Sequence, residues 1–362
     1  MTNVAARTIA LLMVASCSAP CGGAEGEGEG EGDGEGEGEG EGEGEGEGEG
    51  EGEGEGEGDG EGEGEGEGDV PRLGACPVFT ADDAWNTDVA SVAVSAEWTG
   101  KLTDAYGATL LHPDFGNFGD EHYGIPINLV AAGTAPVPIT YDQYDDESDP
   151  GPVALPDVDD VRIEGTDDPR DCSGDCHLIA VAEGTCEVFE GWACRFDDVD
   201  GYTCGNGARF DLRTRSQGQR PEGWTSADAA GLSILAGLVR YDEAASGDIR
   251  HAIRFTLPCT QAHYVRPASH HAVPNDCDPD DPDAPPMGLR VRLRADFDVT
   301  GFSPIPRAFL VAMQRYGMVL ADNGSAFYFQ AEDDARWTDD LDELKDVPAS
   351  AFEALTPGTF YP

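Results

Sequence analysis

From Glu25 to Asp69 every odd-numbered position is acidic and every even-numbered one is glycine. These 45 residues hold 23 carboxylates and not one apolar side chain. The segment has nothing to bury, and glycine at every second step raises the entropy that folding would have to overcome, so it is expected to stay disordered. Fully extended it reaches at most about 150–160 Å, and like-charge repulsion favours its longer states. A solvated spacer is the reading that follows, with a diffuse counter-ion or Ca2+ sponge as the alternative. Whatever folds is drawn from residues 70–362, enough chain for one large core or two coupled lobes.

Ahead of the repeat, "MTNVAARTIALLMVASC" has one Arg, an apolar run from Thr8 to Val14, and small residues before Cys17. The run is too short for a permanent membrane span but suits a signal peptide over residues 1–16. Val14-Ala15-Ser16-Cys17 resembles the lipobox of bacterial lipoproteins. The resemblance implies that Cys17 is lipidated and begins the mature chain, with residues 17–24 as the anchored end. Its diacylglyceryl group matters because a single acyl chain holds a protein only marginally. Ser18 after the cysteine favours the outer membrane or cell surface. The alternative is plain secretion with Cys17 discarded or disulfide-bonded.

The net charge is −52. The repeat supplies 23 of the 73 acids and Arg7 is one of the 21 bases, so residues 70–362 carry 50 acids against 20 bases, a net −30. Such a surface repels nucleic acid and anionic lipid, which excludes both as general partners and leaves the lipid anchor as the contact with membrane.

Eight cysteines lie beyond the repeat: Cys76, Cys172, Cys176, Cys186, Cys194, Cys204, Cys259 and Cys277. In an exported chain they read as up to four disulfides of open connectivity. Cys194 and Cys204 bracket a turn at Asp200-Gly201, as a hairpin clasp would. "CSGDC" lacks the second pair that a zinc site needs. Cys21 is left over.

Short or alternating apolar runs predict strands in "YGIPINLVAA", "APVPITYD", "DIRHAIRFTL", "LRVRLRADFDV" and "SAFYFQAE", and a hairpin in "HLIAVAEGTCEVFEG" turning at Glu183-Gly184. Helices are expected within "SPIPRAFLVAMQRYG", stopped by Gly317, and within "TDDLDELKDV". A helical turn is expected in "GWTSADAAGL", where Thr225 and Asp228 have capping-box spacing. The expected fold is all-β or β-rich α+β. It would be a sandwich or jelly-roll-like core with a few peripheral helices, reinforced by disulfides, forming a single globular domain over residues 70–362.

The blocks "DAWNTDV", "LHPDFG", "YGIPI", "GWTSADAAGLSILAGLVRYDE", "IRHAIRFT", "PPMGLRVRLRADFD" and "RYGMVLADNGSAFY" resemble a group of uncharacterised secreted bacterial proteins with no established activity. The resemblance implies an exported domain and supplies no catalytic residues. It also implies that the cysteines from Cys172 to Cys277, Cys186 excepted, are local reinforcement.

No G-x-S-x-G elbow, H-E-x-x-H or phosphate loop is present. Period two in "IRHAIRFTL" puts His251 on the apolar face, as a core histidine, and Arg250 and Arg254 on the other. "LRVRLRADFDV" puts Arg290 and Arg292 on its polar side. If these strands are neighbours, the four arginines form a basic groove for an anionic ligand such as a uronate-containing polysaccharide; otherwise they pair with local acids. Asp242 or Glu243 is a candidate general acid, with Asp322 or Glu190 as the second carboxylate of a glycosidase. His263, Tyr264 and His270 gather proton-handling groups near Arg266, and Trp98, Trp192, Trp224 and Trp337 offer faces for sugars. "DCDPDDPDAPP" and "DDVDG" leave room for a structural Ca2+, with no cofactor required. The expectation is a surface-anchored extracellular lipoprotein that handles a glycan, as a hydrolase or lyase or as a non-catalytic binding module for a glycan or partner. Asp242, Glu243, His263, Tyr264 and His270 would be catalytic, and Arg250, Arg254, Arg290, Arg292 and Trp224 would bind ligand.

Overall fold

Alternation along one strand pair organises the molecule. In Leu178–Ala182 and Glu187–Trp192, Ile179, Val181 and Val188 enter one hydrophobic core while Leu178, Ala180 and Phe189 enter another. A strand whose two faces are both buried reads as a continuous apolar run, as "LIAVA" does. The sheet that contains the pair is therefore the middle of three layers. The computed structural model describes residues 70–118, 121–166 and 168–362. The expected signal peptide, Cys17, Cys21 and the Glu-Gly repeat lie outside the described residues.

The strands that build the layers are β1 (His112–Pro113), β2 (Ile127–Val130), β3 (Ile139–Tyr141), β4 (Leu178–Ala182), β5 (Glu187–Trp192), β6 (Arg195–Asp197) and β7 (Gly201–Cys204). They continue with β8 (Asn206–Asp211), β9 (Ile253–Leu257), β10 (Arg290–Leu293), β11 (Met318–Asn323), β12 (Tyr328–Phe329) and β13 (Phe352–Ala354). The middle sheet has the order β8-β5-β4-β2 and the largest sheet the order β13-β10-β11-β9-β12-β1. A small sheet, β6-β7-β3, covers the second core. The fold is β-rich and sandwich-like, with four disulfides: Cys76–Cys186, Cys172–Cys176, Cys194–Cys204 and Cys259–Cys277. Cys194–Cys204 closes the β6–β7 hairpin, as the spacing predicts. Disulfides of this number fit an extracellular or otherwise oxidising environment. Among the described residues no helix is long and apolar enough to cross a membrane.

The helices are α1 (Ala96–Tyr106), α2 (Ile234–Gly237), α3 (Tyr241–Ser246) and α4 (Pro304–Arg315). In α4, Phe309, Ala312 and Met313 are buried, and Gly317 follows with φ +74°. A side chain at Gly317 would meet the Val291 carbonyl at 2.3 Å, so this stop needs glycine. "TDDLDELKDV" forms a 3-10 helix over Asp339–Asp346 rather than an α-helix. The helical turn expected in "GWTSADAAGL" is not formed, because Asp228 is drawn into a buried ion pair instead of capping.

Strand order also corrects the basic groove. β11 lies between β9 and β10, so the arginines of the two strands are not on neighbouring strands. Arg290 donates to the carbonyls of Ala84 and Tyr316, and Arg292 pairs with Glu353, its cross-strand partner on β13. Arg250 pairs with Asp248. These contacts match the alternative in which the arginines serve local partners.

Candidate functional site

His177 stands immediately before β4 and is 5% exposed. Its Nδ1 lies 2.5 Å from Oε2 of Glu164, and the Glu164 backbone N–H donates to the His177 carbonyl at 3.0 Å. Burial works against the charged imidazole, but the Glu164 carboxylate outweighs it and raises His177 to about 9. Glu164 is lowered in turn: burial opposes this, and the His177 charge and hydrogen bonds prevail. At neutral pH the pair is thus an imidazolium held against a carboxylate. Among the described residues, Nε2 of His177 has no hydrogen-bond partner.

The loop carrying His177 is tied down on two sides. Cys172–Cys176 closes it one residue upstream. The carbonyls of Asp175 and Cys176 accept the N–H groups of Ala193 and Cys194, beside the second clasp, Cys194–Cys204. Asp175 also accepts the Trp192 indole N–H at 3.3 Å. The Trp192 ring packs directly on Gly205, where an added Cβ would come within 2.6 Å of it. Tyr144 stands beside it, ring centroids 6.3 Å apart.

The opposite chemistry comes from β11. Its pairing with β9 shifts register after Phe255, with Leu320 opposite Phe255 and Asp322 opposite Thr256, so Ala321 is an extra residue. Such a bulge re-aims the side chains that follow it. The Ala321 carbonyl accepts the Ala230 N–H, which fixes the 225–230 loop to the bulge. Burial, with the charge of Asp228 added, pushes Asp322 up to about 7 against the pull of Arg254. Arg254 is 2% exposed and grips the fully buried Asp228 through both Nε, at 3.0 Å, and Nη2; its Nη2 is 3.8 Å from Asp322. Its Nη1 donates to Gln330, whose amide reaches Asp114 at 3.2 Å.

His177, Trp192, Tyr144, Asp175 and Asp322 together line a cleft of about 240 Å³. Asn206, at the start of β8 and 3% exposed, also lines it; its amide donates to the Ser226 carbonyl at 2.5 Å, and its Oδ1 has no partner among the described residues. Aromatic walls with a few convergent polar groups and shifted titratable groups are the usual make-up of a ligand site. The arrangement can donate a hydrogen bond from Nε2, exchange a proton at Asp322 near neutral pH, and accept a hydrogen bond at Asn206.

The sequence-derived candidates divide. His270 lines the cleft and donates Nδ1–H to the Ala229 carbonyl at 2.7 Å, Arg254 lies beneath it, and Trp192 and Asp322 line it. Asp242 is exposed and pairs with Arg336. Glu243 is held by Arg240 and His251 at the start of α3 and is lowered to about 2, burial being outweighed by Arg240. His263 is exposed near Phe360; Tyr264 is buried, stacked on Tyr361 and bonded to Glu222. Trp224 lies against Arg220. The structure does not bring Asp242, His263 and Arg254 into one cleft. Glu190 is wholly buried and accepts hydrogen bonds from Ser233 and from the N–H groups of Ile234 and Leu235, so it joins β5 to α2. Among the described residues no group of three or more His, Cys, Asp or Glu is placed to hold a metal ion.

His177, Glu164, Asp175 and Asn206 escaped sequence reasoning, as did the ion-pairing role of Asp228, whose spacing suggests only a helix cap. One signal was there for the last: "SADAAGL" and "IRFTL" each set a single charge in apolar surroundings, and opposite charges so placed call for each other. No family model, curated protein or solved structure matches this chain.

Proposed function

We propose that this protein is a surface-anchored extracellular enzyme that cleaves a glycan in the cleft between His177 and Asp322. The observation that carries the reading is the Glu164-held imidazole of His177, with its Nε2 unpaired, in the same aromatic-walled cleft as a carboxyl group raised to about 7. Asp322 in its protonated form gives its proton to the glycosidic oxygen as the bond to the departing sugar breaks. In hydrolysis, water supplies the hydroxyl to the anomeric carbon and its remaining proton restores Asp322. His177 holds a substrate oxygen through Nε2–H, and Trp192 and Tyr144 form the wall on which a sugar ring rests. Anchoring through Cys17 rests on the lipobox-like Val14–Cys17 stretch, and the oxidising location on the disulfides.

The Tyr144–Trp192 wall would also serve a module that binds a glycan without cleaving it. Incubating the oxidised full chain with a panel of polysaccharides and following soluble products by mass spectrometry separates the two. Product that disappears in Asp322→Asn and His177→Gln supports the enzyme. Retention of an unchanged glycan replaces it with the binder.

A further inference from the structure

Within that reading of the cleft, we infer that it selects a sugar unit bearing a protonated amine, rejects uronates, and acts by hydrolysis. Among the described residues lining the cleft there is no lysine or arginine, while Asp175 and Asp322 both line it. The charge on His177 is already matched by Glu164, and Arg254 below is engaged by Asp228 and Gln330. A uronate carboxylate entering here would lose hydration beside two carboxyl groups and meet no unmatched cation. An ammonium group meets the reverse: the Asp175 carboxylate to pair with, the Asp322 carboxyl oxygens to accept its N–H, and the ring faces of Trp192 and Tyr144. Asn206 adds an independent demand. Its Oδ1 is a buried acceptor lacking a donor, and an amine or hydroxyl supplies one where a carboxylate has none. The same balance bears on the reaction. Elimination draws a proton from the carbon beside a carboxylate and needs a cation to stabilise the charge that develops; hydrolysis does not.

The test is calorimetric titration of the full chain with three tetramers: glucosamine, N-acetylglucosamine and galacturonate. The expected result is binding of the glucosamine tetramer about tenfold tighter than the acetylated one, with no heat from the galacturonate. Asp175→Asn keeps an oxygen for the Trp192 indole on an exposed residue, so the fold is preserved, and it should narrow the gap. Galacturonate binding as tight as glucosamine, or an unsaturated product end, overturns the charge selection and leaves a glycan enzyme standing. Equal binding of all three also overturns it. No binding and no product from any glycan overturns both.

Discussion

Nδ1 of His177 and Oε2 of Glu164 are 2.5 Å apart, and the backbone of the same two residues is joined at 3.0 Å. The ring is therefore fixed in position, and its charge matched, by a partner thirteen residues earlier in the chain. Because the folded imidazole is raised to about 9, its contribution to stability is complete below about pH 6.5 and is lost as pH rises through about 9. Denaturant unfolding across pH 6–10 should show that decline. Glu164→Gln should flatten it, and an unchanged slope in the variant would mean the pair does not hold the charge.

Asp322 predicts a pH limit on turnover. Its proton leaves near pH 7, so the rate should fall above that value. Asp322→Asn should lower the rate by about 10²-fold or more. Its stability at pH 8 should be no worse than wild type, since an ionised carboxylate at this site is disfavoured by burial. Rate profiles and thermal melts of both proteins check this.

Breaking the Arg254–Asp228 pair leaves a buried charge uncompensated. Asp228→Asn or Arg254→Met should each cost about 3–5 kcal/mol in urea unfolding. A cost under about 1 kcal/mol, the range of exposed pairs, would show that the site is wetter than its burial indicates.

The disulfides should separate stability from activity. Cys76–Cys186 spans 110 residues and Cys172–Cys176 only four. By loop entropy alone, losing the first costs about 5 kcal/mol and losing the second about 2. Cys172→Ser with Cys176→Ser should nonetheless be the pair that lowers turnover, since it frees the loop next to His177. Melting temperatures and rates for the two double variants should rank in opposite orders.

Local pattern made much of the fold legible. The turn in "HLIAVAEGTCEVFEG", the Cys194–Cys204 clasp and the face of α4 each follow from spacing within one short segment. The arginine groove failed because it depended on which strands are neighbours, and the insertion of β11 between β9 and β10 is decided by packing across the whole sheet. The site was half legible for the same reason. Asp322, Trp192, His270 and Arg254 stood out by residue type, whereas His177 and its partner Glu164 matter only once β4 lies parallel to β2 and His177 shares a cleft with Asp322, which follows the bulge at Ala321.

Gly205 carries a consequence for tracing this cleft through related chains. The Trp192 ring occupies the space that any side chain at 205 would claim. The two positions are thus bound to vary together: a relative with alanine or larger at 205 must have surrendered the aromatic wall, whatever else it retains. Reading those two letters in a new sequence would tell whether the aromatic platform had been inherited or lost.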